Sequence, residues 1–168
     1  TTSETNNSDA EGRLVLADAL AYAVATLEPD VVIDLATLTG AASVALGKRI
    51  AALYTHDDEL AASLIAAGSA VGERMWPMPL AEEYAEFLRS DIADRVSWSS
   101  RGVGSVAAAL YLREFLGDRA EHWAHLDMSA PAWADASEGD LTRGATGWGT
   151  RTLLRYLSAL DGGQQPGA

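Results

Sequence analysis

The chain has no cysteine among its 168 residues, which excludes disulfides and thiolate metal sites and fits a reducing compartment. Basic residues are scarce, with 12 Lys and Arg against 24 Asp and Glu and a formal net charge of −12. Such a balance opposes phosphate backbones and anionic lipid surfaces, so neither nucleic acid nor a membrane is an expected partner. No apolar run approaches the roughly 20 residues that a membrane-spanning helix needs. The first residues are polar, with no basic stretch leading into an apolar one, so no secretory leader is read there and a cytoplasmic location is expected. No internal repeat is present. What remains is the composition of a folded domain, 48% hydrophobic and 21% charged, long enough to bury one sizeable core.

Periodicity predicts alternating strands and helices. Leu14, Leu16, Ala17, Leu20, Ala21, Val24 and Leu27 recur at helical spacing, and Glu28-Pro29-Asp30 ends that helix. Val31 to Ala36 is a short apolar run rich in β-branched residues, suited to a strand covered on both faces, and Thr37 to Gly40 is read as its exit loop. Ile50 to Thr55 reads as a second strand, with Asp57 and Asp58 capping a helix from Glu59 to Val71. Two prolines keep Trp76 to Pro79 extended, and helices are expected over Ala81 to Arg89, Val106 to Leu116 and Gly149 to Leu160. Trp123 to Met128 is the last strand. The expected architecture is an α/β layered fold with a mainly parallel sheet flanked by helices, spanning residues 1–160, followed by a tail over 161–168 that is disordered by composition. Sites in such sheets lie beyond the carboxyl ends of strands, where Thr37 to Gly40 and Ser129 to Pro131 fall in this order.

The segment Asn7-Ser8-Asp9-Ala10-Glu11-Gly12-Arg13-Leu14 sets two carboxylates and a guanidinium at alternate positions just before the first helix. In an extended segment, Asp9, Glu11 and Arg13 would project to one side and converge. Two acids so close require a cation or a shared proton between them. The plainer reading is a helix N-terminus decorated with acids, which the macrodipole favours, with Arg13 as an exposed helix residue paired to a neighbour.

This segment resembles the Asn-Thr-Asp-Ala-Glu-Gly-Arg-Leu signature of the leucyl aminopeptidase family, with Ser8 in place of Thr. Three later blocks resemble the same family in the same order: Asp34-Leu35-Ala36-Thr37-Leu38-Thr39-Gly40-Ala41, Trp123-Ala124-His125-Leu126-Asp127, and Gly144-Ala145-Thr146-Gly147 followed by Arg151-Thr152-Leu153. The resemblance implies a zinc-exopeptidase-like catalytic domain in which Asp9 binds one metal ion, Glu11 bridges two, and Arg13 holds a bicarbonate that acts as general base. It further implies that the loop of Thr37, Leu38 and Gly40 holds the peptide through its backbone, and that Ser129 and Ala132 border the pocket for the first side chain. Without the family, Thr37 to Gly40 is a strand-end turn in which Gly40 supplies backbone freedom. The cofactors implied are two divalent ions, Mn²⁺ or Zn²⁺, with bicarbonate, and the assembly implied is a homohexamer.

The family also draws a metal-binding lysine, two aspartates and a catalytic lysine from regions that precede the signature, and nothing in this chain corresponds to them. The chain opens on Thr1 without an initiator Met and is read as the C-terminal segment of the catalytic domain, with an incomplete site. His56, His122 and His125 form no HExxH pair and are read as structural, as are Asp34, Asp127 and Trp98. Ser99 to Ser105 lacks the lysine and spacing of a phosphate loop. The functional expectation is a metal-dependent aminopeptidase that releases N-terminal residues, leucine-type, from peptides through water activated by two metal ions. The alternatives are a non-catalytic fragment and a subunit completed by a separate N-terminal half.

Overall fold

Apolar strands alternating with longer amphipathic segments build three layers, a four-stranded sheet with helices on each face. In the computed structural model, which describes residues 1–162, the strands are β1 (Ser3–Glu4), β2 (Val32–Ala36), β3 (Ala51–Tyr54), β4 (Met75–Pro77), β5 (Arg95–Val96), β6 (Trp123–Asp127), β7 (Trp133–Ala134) and β8 (Gly144–Ala145). The helices are α1 (Glu11–Leu27), α2 (Gly40–Leu46), α3 (Asp58–Ala70), α4 (Gly104–Arg113) and α5 (Thr150–Gly162).

The main sheet has the order β2-β6-β3-β4. β2 pairs with β6 and β3 with β4 in parallel, while β3 and β6 run antiparallel. The carboxyl ends of β2 and β6 therefore lie together. Alternate residues of β6 serve opposite faces. Trp123, together with Val32, Ala52 and Tyr54, meets α1 and α4, whereas Ala124 and Leu126 join Leu53, Leu64 and Tyr156 against α3 and α5. Each large apolar side chain fully buried in these clusters contributes roughly 1.5–3 kcal/mol relative to exposure.

The predicted helices and strands recur within a few residues, with three differences. Gly40 does not belong to a loop. It opens the seven-residue helix α2, whose cap is Thr39, with Oγ1 accepting from the Ala42 amide at 3.2 Å. The stretch around Ala81 to Arg89 forms 3₁₀ turns over Glu82–Leu88 in place of a regular helix. The closing helix continues past Leu160 to Gly162, so two residues assigned to the tail are helical, and the rest of that expected disordered tail lies outside the described residues. Among the described residues no helix is long and apolar enough to cross a membrane.

Asp57 caps α3 by accepting from the Leu60 amide at 2.9 Å. That bond holds its carboxyl below the usual carboxylate range. A depressed folded-state pKa means the contribution is present above the unfolded value and fades as pH falls through the folded one. We expect Asp57→Ala to cost about 1 kcal/mol at neutral pH. In thermal unfolding, the gap between the two proteins should close as the solution is acidified below the ordinary aspartate pKa. A gap that persists there would refute the capping account.

Candidate functional site

The acidic signature does not adopt the extended form that its alternation suggests. Asn7 caps a 3₁₀ turn over Ser8–Ala10, its side-chain oxygen accepting from the Asp9 amide at 2.9 Å, and α1 begins directly at Glu11. In a helical segment, residues two apart do not share a face. Asp9 and Glu11 are exposed, while Arg13 turns inward and is only 6% exposed. Among the described residues, the two carboxylates form no ion pair and accept no side-chain hydrogen bond.

Arg13 donates from Nη1 to the Ser97 carbonyl at 2.8 Å, and its Nε is buried without a partner among the described residues. Burial lowers the guanidinium from its usual pKa, while Tyr111 and Asp127 pull it back up. Ser97 was not singled out by its sequence. It follows β5, which pairs in parallel with β1, and Asn6 Nδ2 donates to the Trp98 carbonyl at 3.0 Å nearby. The segment from Asp94 to Trp98 thus braces the acidic signature from the side.

The strand-end loop meets the signature at Gly12. A β-carbon placed on Gly12 would lie 3.6 Å from Leu38 Cδ1, so the first turn of α1 and the loop after β2 are in contact. Ser129, just beyond β6, joins them, with its Oγ accepting from the Thr39 amide at 3.0 Å. The structure therefore brings the Leu38–Thr39 loop and Ser129 together, beside the helix that carries Glu11 and Arg13. Thr37 and Gly40 are exposed and Leu38 is half-buried at this end of the sheet.

Three other features lie apart from this cluster. Buried Glu73 accepts from the Thr152 amide at 2.9 Å and its hydroxyl at 2.7 Å, fixing the first turn of α5. A cavity of about 560 Å³ lies among Lys48, Arg74, Trp133, Asp140 and Trp148. The histidines are not grouped. His56 pairs with Glu82 at 3.3 Å, His122 with Asp57 at 3.4 Å, and His125 is wholly buried against Asp34 at 2.6 Å. Among the described residues no three His, Asp or Glu side chains gather as metal ligands.

Residues 1–154 match the model of the cytosol aminopeptidase family, catalytic domain. A probable cytosol aminopeptidase of Chlorobaculum tepidum is 51% identical over 157 residues, covering 93% of this chain and 31% of that protein. The bottromycin maturation enzyme BotP in complex with Mn superposes with a TM-score of 0.89 and 43% identity, over 95% of this chain and 36% of its own. A mutant of tomato leucine aminopeptidase superposes at 0.83 with 43% identity, over 92% and 29%. The chain thus spans about a third of the length of the curated relatives it matches.

Proposed function

The chain belongs to the cytosol aminopeptidase family, and on that premise we propose that it carries part of a metal-dependent site releasing N-terminal amino acids, leucine among them, from peptides. One observation carries this reading: the contact between Gly12 and Leu38 sets the acid-bearing start of α1 against the loop at the end of β2. Asp9 and Glu11 offer hard oxygen donors that, among the described residues, have no side-chain partner, which suits a divalent cation such as Mn²⁺ or Zn²⁺. Bound in pairs, such ions supply Lewis acidity to the scissile carbonyl and lower the pKa of water.

The residues of the chain then bind and orient. Arg13, with a buried and unpartnered Nε, is suited to hold a small anion such as bicarbonate as proton acceptor. Thr37, Leu38 and Gly40 border the peptide, and Ser129 stands beside them. Only two carboxylate ligands come from the described residues, so on this reading the others belong to the length of the relatives that the chain does not span. The same coverage favours a chain that works joined to that remaining part, and membership of the cytosol aminopeptidase family is the ground for reading the joined protein as a cytoplasmic homohexamer acting on peptides.

The test is hydrolysis of leucine para-nitroanilide with Mn²⁺ or Zn²⁺ added. The chain alone should be silent. Mixed or joined with the remaining part of the Chlorobaculum tepidum relative it should be active, and Glu11→Ala should then lower kcat by at least about 10³-fold. Activity untouched by Glu11→Ala would remove the metal role, and silence of the folded, completed protein would remove the aminopeptidase reading.

A further inference from the structure

Asp127 ends β6, is 1% exposed, and spends its carboxylate wholly on the candidate peptide loop and its neighbour. Oδ1 accepts from the Leu38 amide at 3.2 Å, from the Ser129 amide at 3.2 Å and from Ser129 Oγ at 2.5 Å. Oδ2 accepts from Thr39 Oγ1 at 2.6 Å. An acid buried for stability alone is satisfied by whatever donors the core provides. Here every donor belongs to Leu38, Thr39 or Ser129.

We propose that Asp127 is a positioning residue, a strut that ties the loop after β2 to the turn after β6 so that both present one fixed edge to a peptide. This inference rests on the reading of that loop as the peptide's seat. The strut acts in three directions. Through Thr39 Oγ1, which also accepts from the Ala42 amide at 3.2 Å, it holds the start of α2. Through Ser129 Oγ, which accepts from the Thr39 amide, it closes a ring that includes both segments. Its negative charge also faces Arg13 and offsets part of the cost of burying that guanidinium.

The test is amide hydrogen exchange on the full chain and on Asp127→Asn. The carboxamide keeps the size but removes the charge, and with Nδ2 toward Thr39 it obliges that hydroxyl to accept from Asn as well as from the Ala42 amide instead of donating, so the ring is weakened at Thr39 and loses its charge-assisted bonds to Leu38 and Ser129. The Leu38, Thr39, Ala42 and Ser129 amides are expected to exchange at least about tenfold faster, while those of Ala124 and Leu126 in the sheet keep their rates. A uniform rise over all amides would make Asp127 a source of global stability only, and unchanged rates at Leu38 and Thr39 would likewise overturn the strut. Should Asp127→Asn fail to fold, Thr39→Val and Ser129→Ala decide the matter, since each is expected to loosen the other segment, and independence of the two would overturn the proposal. In the completed enzyme, Asp127→Asn should raise KM by a larger factor than it lowers kcat. A silent completed enzyme would count against the aminopeptidase reading and leave the exchange pattern to decide the strut.

Discussion

Gly68→Ala is expected to destabilise the protein by about 2–3 kcal/mol, although the position lies inside α3, where alanine is intrinsically the better helix former by about 1 kcal/mol. A β-carbon at Gly68 would stand 2.4 Å from the carbonyl oxygen of Glu73 and 2.8 Å from Met75 Cε. The first contact is with backbone and has little freedom to yield. The Glu73 amide also donates to the Gly68 carbonyl at 2.9 Å, so the two backbones are locked at close approach. Any shift of Glu73 passes to its carboxylate and so to the Thr152 amide and hydroxyl that it holds. The loss should appear as a midpoint lowered by about 5–10 °C in thermal unfolding. Ser69→Ala, at the next and exposed position, should stay within about 0.5 kcal/mol of the parent. An unchanged or raised midpoint for Gly68→Ala would show that α3 and the turn before β4 can part without cost.

The second large effect is expected at Asp34. Its carboxylate lies in the sheet layer beneath α1 and α4, accepting from His125 Nδ1 at 2.6 Å and from Trp123 Nε1 at 2.7 Å. Parallel pairing sets Asp34 opposite His125, and Trp123 and His125 stack with ring centroids 6.0 Å apart. Asp34→Ala removes both acceptors and leaves an imidazole and an indole donor stranded in a dry layer. Breaking one side of a buried polar network typically costs about 3–5 kcal/mol. Denaturant unfolding should show that loss without a change in slope, while Asp135→Ala, whose ion pair with Lys48 is exposed, should cost less than about 1 kcal/mol. A loss at Asp34 below about 1 kcal/mol would mean that His125 finds another partner when the carboxylate is gone.

How much of this was readable beforehand depended on the range of the interaction concerned. β2 and α1 were visible because their period is local: a β-branched run for one, apolar residues at helical spacing for the other. His125, whose lack of an HExxH partner reads as structural, has its ring enclosed by Asp34, Trp123 and Tyr54. The alternation of Asp9, Glu11 and Arg13 misled because two periods competed over five residues. The short-range chemistry of Asn7, which caps the turn, prevailed over the strand-like spacing. α2 does not register in the sequence because seven residues after a strand, most of them small, carry too few helical periods. Ser97 and the tie from Asp127 to the loop after β2 were beyond local pattern, because those partners lie 84 and about 90 residues away in sequence. A lone acid ending an apolar strand was the one signal available for Asp127.

The pairing of β1 with β5 bears on how the protein reaches this state. Thr2 and Asp94, the residues that lead into the two strands, are joined by three hydrogen bonds across 92 positions of chain. Closing so wide a loop costs entropy before it returns any contact, and two residues per strand return little. The bracing of the acidic signature should therefore form late, after β2 and β6 have met and α4 has docked, and mutations at Asp94 should speed unfolding more than they slow folding. The chemistry-bearing end of the chain would then be the last part to acquire its shape and the first to lose it.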